Sequence, residues 1–183
     1  RPNRTFVAFM MNYKAGDTNG ANKFIGLSLM SGDQAQTEEI FFGKPASSEN
    51  WAGIYEPDTG TTTPSSYEIK ADHHNDYMLV AEWDPAIKTA RLWAYHKDGG
   101  EIPENYTNAV PVATYSNASI TAATITGIRV AAGLHTYVEG SSLDHVYFDE
   151  IRVGGTWDEV LNFTYPKVFD YALERGTNWI SDG

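Results

Sequence analysis

The stretch 146–157, which reads VYFDEIRVGGTW, constrains the fold of this chain more than any other. Apolar and polar residues alternate along it, as they do in a strand whose successive side chains point to opposite faces of a sheet. The alternation predicts one face with Tyr147, Asp149 and Ile151, and another with Val146, Phe148, Glu150 and Arg152. The Gly154-Gly155 pair ends the strand, and a new element begins at Thr156.

Strand and turn signals of the same kind recur along the chain, which is typical of an all-β protein. The predicted strands are residues 4–13, 23–30, 38–44, 51–55, 77–84, 89–95 and 123–133. Pro85 lies in a short turn that joins 77–84 to 89–95 as a hairpin. Residues 57–66 are predicted to form an exposed loop. The segment 166–176 is the part of the chain predicted to be helical, with Pro166 in the first turn and Gly176 at its end.

Composition and charge exclude several classes of function. With 183 residues, the chain has the length of one domain with a sizeable core. A net charge of -11 argues against nucleic acid or an anionic membrane as a partner, but is compatible with a neutral polysaccharide. The absence of cysteine excludes disulfides and thiolate metal sites. No apolar run is long enough to span a bilayer, so membrane insertion is not expected.

The segment 148–157 (FDEIRVGGTW) resembles the closing strand of laminin G-like jelly rolls in the concanavalin A-like lectin/glucanase superfamily. Segments 40–45 (IFFGKP), 77–80 (YMLV) and 92–93 (LW) follow the order seen in that family. The resemblance implies an all-β, two-sheet antiparallel jelly-roll sandwich with one short C-terminal helix. Residues 1–163 would form this domain. Residues 164–183 would be an extension, either a short helix packed on the sandwich or a link to another domain.

The same resemblance implies a non-catalytic carbohydrate-binding or adhesive module of a secreted or cell-surface bacterial protein. Its partner would be a polysaccharide or glycan, and the negative charge favours a neutral one. Two alternatives stay open: a glycoside hydrolase or polysaccharide lyase on the same scaffold, and a structural domain without a ligand. The oligomeric state is not predicted.

Glu82 and Asp84 are the candidate catalytic pair if the protein is an enzyme. Residues i and i+2 of a strand share a face, so the two carboxylates project together, as paired acid and base groups must. Laminarinase-type glucanases of the superfamily carry a third acid after such a pair, whereas here Ala86 and Ile87 follow. The competing interpretation is a strand end with solvated acids.

A structural Ca²⁺ ion is the candidate cofactor. Calcium prefers oxygen ligands, which Asp17 and Asn19 offer in a glycine-containing loop. The resemblance adds Asp149, since related jelly rolls often place an acid of the last strand at such a site. Ordinary turn chemistry is the competing and favoured interpretation of Asp17 and Asn19, because both residue types stabilise turns.

Aromatic side chains are the candidate ligand-binding groups. If Leu92 and Ala94 face the core, Trp93 and Tyr95 form an exposed platform on which a sugar ring can stack. Trp83 and Trp51 are further candidates for the same role. The alternative is that these large residues pack in the core. Trp157 is expected to be a packing residue.

Overall fold

A computed structural model describes residues 4–15, 22–32, 38–46, 50–70, 75–99, 102–116, 125–134 and 143–161. The strands are β1 (Thr5–Ala15), β2 (Lys23–Met30), β3 (Glu38–Lys44), β4 (Trp51–Glu56), β5 (Thr61–Glu68), β6 (Tyr77–Asp84), β7 (Thr89–His96), β8 (Ala113–Ser116), β9 (Gly127–Leu134) and β10 (Leu143–Gly154). A 3-10 turn spans Tyr106–Asn108, and one short helix, α1, spans Trp157–Leu161.

The strands form two five-stranded antiparallel sheets that pack face to face as a jelly-roll sandwich. Sheet A has the order β10-β1-β6-β7-β8, and sheet B has the order β5-β4-β3-β2-β9. The predicted fold class is confirmed. So is the hairpin of β6 and β7, in which Tyr77 pairs with His96 at one end and Asp84 pairs with Thr89 at the turn.

The main core lies between the sheets and takes every second residue of each central strand. In β1 these are Val7, Phe9 and Met11, and in β2 they are Ile25, Leu27 and Leu29. Each such side chain stabilises the fold by about 1.5–3 kcal/mol through removal of apolar surface from water. The period-2 pattern that predicted the strands is therefore the pattern that fills the sandwich.

A second apolar cluster covers the outer face of sheet A. Its strand residues come from β1, β6 and β7, and its cover comes from Ile102 and Ala109 and from three residues of α1. The members from the strands are Phe6, Ala8, Met10, Met78, Val80 and Trp93, and those from α1 are Trp157, Val160 and Leu161. As a result β6 is buried on both faces, which explains its continuous apolar run.

Several local features differ from the sequence predictions, among them strand β8 and helix α1, neither of which was predicted. The segment 57–66 is not a loop throughout, because Thr61–Glu68 forms the edge strand β5. Pro64 is tolerated there because an edge strand hydrogen-bonds on one side only. In β10 the register shifts opposite Ala8 and Met10, and Glu150 adopts a φ of 50°. This bulge breaks the predicted alternation, so Glu150 is exposed rather than on the face of Val146 and Phe148.

Helix α1 begins at the capping-box signature T-W-D-E, in which the reciprocal hydrogen bond goes to the residue before the N-cap. Thr156 Oγ1 accepts the backbone N–H of Glu159 at 3.3 Å, and Glu159 Oε2 accepts that of Gly155 at 2.6 Å. The helix predicted at 166–176 lies outside the described residues, as does the proposed extension 164–183. Within the described part of the chain, no helix has the length and apolar character needed to cross a membrane.

Candidate functional site

Two carboxylates at the end of β6 lie in a buried ion cluster on the outer face of sheet A. Arg4 contacts both of them: its two terminal nitrogens lie 3.1 Å from Glu82 Oε1 and 3.1 Å from Asp84 Oδ2. Arg91, the cross-strand partner of Glu82 on β7, lies 2.7 Å from Glu82 Oε2. Glu82 is 0% exposed and Asp84 is 1% exposed. The cluster therefore compensates two charges that would be very costly to bury alone.

Tyr106 joins this cluster from the 3-10 turn. Its hydroxyl donates to Glu82 Oε2 at 2.9 Å and accepts from Arg91 at 3.2 Å, while its ring lies 5.3 Å from the guanidinium carbon of Arg4. Burial raises the pKa of Tyr106, and the hydrogen bond and charge of Glu82 raise it further. The pKa of Arg91 is raised as well. Burial of the guanidinium alone would lower this pKa, but the hydrogen bond to Glu82 and the negative charge of Glu82 together raise it by more. Tyr106 is thus held in its protonated, donating form.

Glu82 and Asp84 share a face, as the sequence predicts, but the interpretation of them as solvated acids is wrong. They are not solvated acids at a strand end, because the arginines and Tyr106 enclose them. They also do not line an open site. A role of the pair in catalysis stays a prediction.

A cleft of about 320 Å³ opens directly beside the cluster. Three segments form its walls: the start of β1 at Arg4, the turn from Asn105 to Thr107, and the connection from β10 to α1. The aromatic part of its lining comes from Phe6, Tyr106 and Trp157, whose rings meet edge to face at 5.7–6.4 Å. Trp157 is fixed by a 3.1 Å hydrogen bond to the carbonyl oxygen of Pro103.

The rest of the lining is polar and mostly uncharged. Asn105, Thr107 and Thr156 are its uncharged residues with polar side chains other than Tyr106, and all three are exposed. Arg4 and Asp158 are the charged residues among those that line it. Such a site offers hydrogen-bond donors and acceptors beside apolar ring surface, which is the usual composition of a small-molecule site.

The predicted platform of Trp93 and Tyr95 is wrong, although the faces were assigned correctly. Leu92 and Ala94 do face the core, and Trp93 points outward. There it is 1% exposed, because the rings of Trp157 and Tyr106 pack against it at 5.1 and 5.6 Å. Tyr95 is half-buried in the same cluster, and burial raises the pKa of its phenol.

The other two aromatic candidates, Trp83 and Trp51, differ in exposure. Trp83 is 1% exposed in the core between the sheets, so it presents no surface to a ligand. Trp51 is 37% exposed on β4, on the opposite side of the molecule in sheet B. Its role in ligand binding stays a prediction.

The predicted calcium ligands are not brought together by the described part of the structure. Asp17 and Asn19 lie outside the described residues. Asp149 is exposed in the β10 bulge, where Oδ1 accepts the N–H of Glu150 at 2.8 Å. Among the described residues, no group of three or more His, Asp or Glu side chains could hold a metal. Calcium binding stays a prediction.

Sequence reasoning missed Arg4, Asn105 and Thr107 as site residues. The T-W-D-E capping box could have identified α1, and with it the wall of the cleft that contains Thr156 and Trp157. Nothing in the spacing of Arg4 connects it to β6, because the two segments meet only through the pairing of β1 with β6.

No family model matches this chain, and no curated protein matches it. Among solved structures, the chain is similar to the CBM40 of the Ruminococcus gnavus IT-sialidase, which was solved bound to alpha2,3 sialyllactose. The two are 13% identical and superpose with a TM-score of 0.41. The match covers 71% of this chain and 62% of the other, so this chain spans less than two thirds of that protein's length. What the cleft can bind follows from its own side chains.

Proposed function

We propose that the protein is a non-catalytic carbohydrate-binding module that holds a glycan in the cleft beside Tyr106. One observation carries this proposal: a partly exposed aromatic ring lies next to three uncharged hydrogen-bonding side chains, those of Asn105, Thr107 and Thr156. A sugar ring has an apolar C–H face and a rim of hydroxyls, and it needs these two kinds of partner. A secreted or cell-surface setting is part of the proposal.

The charges of the cleft favour binding over hydrolysis. Glycosidases generally use two carboxylates that flank the bond to be broken. The residues that line this cleft include one carboxylate, Asp158, and the buried pair beside the cleft is engaged by Arg4 and Arg91. Binding without turnover is therefore the function that the arrangement supports best.

The test is binding of the purified protein to a panel of soluble and insoluble polysaccharides, followed by the double substitution of Asn105 and Thr107 by alanine. Both side chains are exposed, so their truncation should leave the fold intact. Each lost hydrogen bond costs about 1 kcal/mol, so the double variant should bind about thirtyfold more weakly.

Trp51→Ala is the matched control, because Trp51 is an exposed aromatic residue outside the cleft. It should bind like the unaltered protein. If Trp51→Ala lost binding and the double variant retained it, the glycan-binding site would be assigned to sheet B at Trp51 instead of to the cleft. A silent panel would favour a structural domain without a ligand.

A further inference from the structure

Arg4 is the cationic residue among those that line the cleft, but the buried carboxylates of Glu82 and Asp84 already compensate its charge. Its two terminal nitrogens are each 3.1 Å from a buried carboxylate oxygen, one of Glu82 and one of Asp84. With Arg91 included, the cluster contains two guanidinium groups and two carboxylates, so its formal charges cancel. The remaining charge at the cleft is the exposed carboxylate of Asp158.

We propose that Glu82 and Asp84 determine the ligand specificity of the cleft: by pairing with Arg4 they make it a site for an uncharged sugar and exclude a carboxylated one. This inference rests on the proposed function, since it names the class of glycan that the same cleft accepts. An unpaired arginine at the wall of a cleft would bind a carboxylate through parallel hydrogen bonds. Here Arg4 donates a hydrogen bond to Asp84 and is ion-paired with Glu82, so the protein's own carboxylates already neutralise its charge.

The dimensions of the cleft narrow the ligand further. A volume of about 320 Å³ lies at the lower end of the roughly 300–1,000 Å³ that is usual for small-molecule sites. It has room for one or two sugar residues rather than for a long stretch of polysaccharide. The ligand unit is therefore one or two neutral sugar residues, free or within a longer glycan.

Glu82 is also a positioning residue for the aromatic part of the cleft. The carboxylate accepts the hydroxyl of Tyr106 at 2.9 Å, so it holds the ring that a sugar would contact. Glu82→Gln keeps the size of the side chain and removes its charge. That change should leave a net positive charge at Arg4 and Arg91, which should raise the affinity of the cleft for an acidic sugar.

The experiment measures the affinities of the full chain for neutral methyl glycosides of glucose, galactose and mannose, and for glucuronate and galacturonate, by titration calorimetry at low salt. The unaltered protein should bind at least one neutral glycoside and should bind both uronates on the order of tenfold more weakly, or not at all. Glu82→Gln and Asp84→Asn should each raise the affinity for a uronate on the order of tenfold, the effect of one charge-assisted contact.

The outcomes separate this inference from the proposed function. If the unaltered protein binds uronates as well as neutral glycosides, the inference is wrong and the glycan site stands. If a polysaccharide of the panel binds but no methyl glycoside does, the inference is wrong and the proposed function stands; if neither binds, the proposed function fails as well. Glu82→Gln removes a buried charge, so circular dichroism must show that the variant is folded. A folded variant that still rejects both uronates would overturn the inference. Should both variants unfold, Asp158→Asn, at an exposed position, decides the question: discrimination against uronates should persist in it, and its loss would assign the selectivity to Asp158 and overturn the inference.

Discussion

The side chain of Trp93 points in the direction that strand alternation predicts, but it is buried under a cover and forms no exposed binding surface. It points away from the main core, as alternation requires, and it packs edge to face against Trp157 and Tyr106. Its indole therefore contributes to the stability of the cover over sheet A. Trp51, by contrast, keeps 37% of its surface exposed.

Trp93→Ala should lower the free energy of unfolding by about 3–5 kcal/mol, because the truncation leaves a cavity beneath α1. Trp51→Ala, a substitution of the same kind at an exposed position, should change it by less than about 0.5 kcal/mol. Urea denaturation of both variants measures the difference. Equal stabilities would contradict the packing role of Trp93.

At the scale of elements, glycines set the approach of neighbouring strands in sheet B. Gly26, Gly43 and Gly53 lie opposite one another on β2, β3 and β4. A Cβ atom at Gly43 would lie 2.3 Å from the carbonyl oxygen of Ile25, and its φ of 144° is in a region that favours glycine. The close contact of β2 and β3 therefore requires the absence of a side chain.

Gly43→Ala should lower the free energy of unfolding by about 3 kcal/mol, since it adds both backbone strain and overlap with the neighbouring strand. Gly127→Ala is the control in β9, where the nearest atom to an added Cβ, in Met30, is 3.9 Å away. That variant should be neutral or more stable by up to about 1 kcal/mol, because alanine restricts the unfolded chain. Thermal unfolding of the pair provides the comparison. A Gly43→Ala protein as stable as the control would show that β2 and β3 can separate at little cost.

At the scale of the whole molecule, burial of tyrosines couples stability to alkaline pH. Burial raises the pKa of Tyr13, Tyr95 and Tyr106 above the value of 10.0 that an unperturbed tyrosine has. Tyr13 is fully buried in the main core, where its hydroxyl donates to the carbonyl oxygen of Ile69 at 3.3 Å. In the unfolded chain the same phenols ionise at their ordinary pKa.

Stability should therefore be independent of these tyrosines below about pH 9 and should fall as the pH rises above about 10. In that range the unfolded state releases protons that the native state retains, and each tyrosine contributes up to about 1.4 kcal/mol per pH unit. Urea denaturation at about pH 8, 10 and 11 measures the slope. Tyr13→Phe should reduce it; an unchanged slope would show that Tyr13 ionises freely in the folded protein.

Much of the fold can be predicted from short-range pattern. The strands from β1 to β4, the β6–β7 hairpin and the inward faces of β7 follow from alternation and turn residues, because side-chain direction in a strand depends only on neighbouring positions. The expectation that nucleic acid is not a partner rests on net charge, which needs no tertiary information, and it stays a prediction. The edge strand β5 and the bulge at Glu150 were not predicted. The sequence does not show that the proline-containing segment of β5 pairs on one side only, with β4, or that the register of β10 against β1 shifts beside Glu150.

The candidate site was decided by tertiary structure. Arg4 and Asp84 are 80 positions apart, and they meet because β1 pairs with β6. Whether the outer face of sheet A is open or covered depends on where Ile102–Ala109 and α1 pack, and periodicity within β7 contains no information about that. Alternation within β7 fixes the direction in which the side chain of Trp93 points. The packing of segments that are distant in the chain determines that Trp93 is buried and that the cleft lies beside Tyr106. The physical reason is that alternation is a local property of the backbone, whereas burial and ion pairing depend on contacts between segments that are distant in the chain.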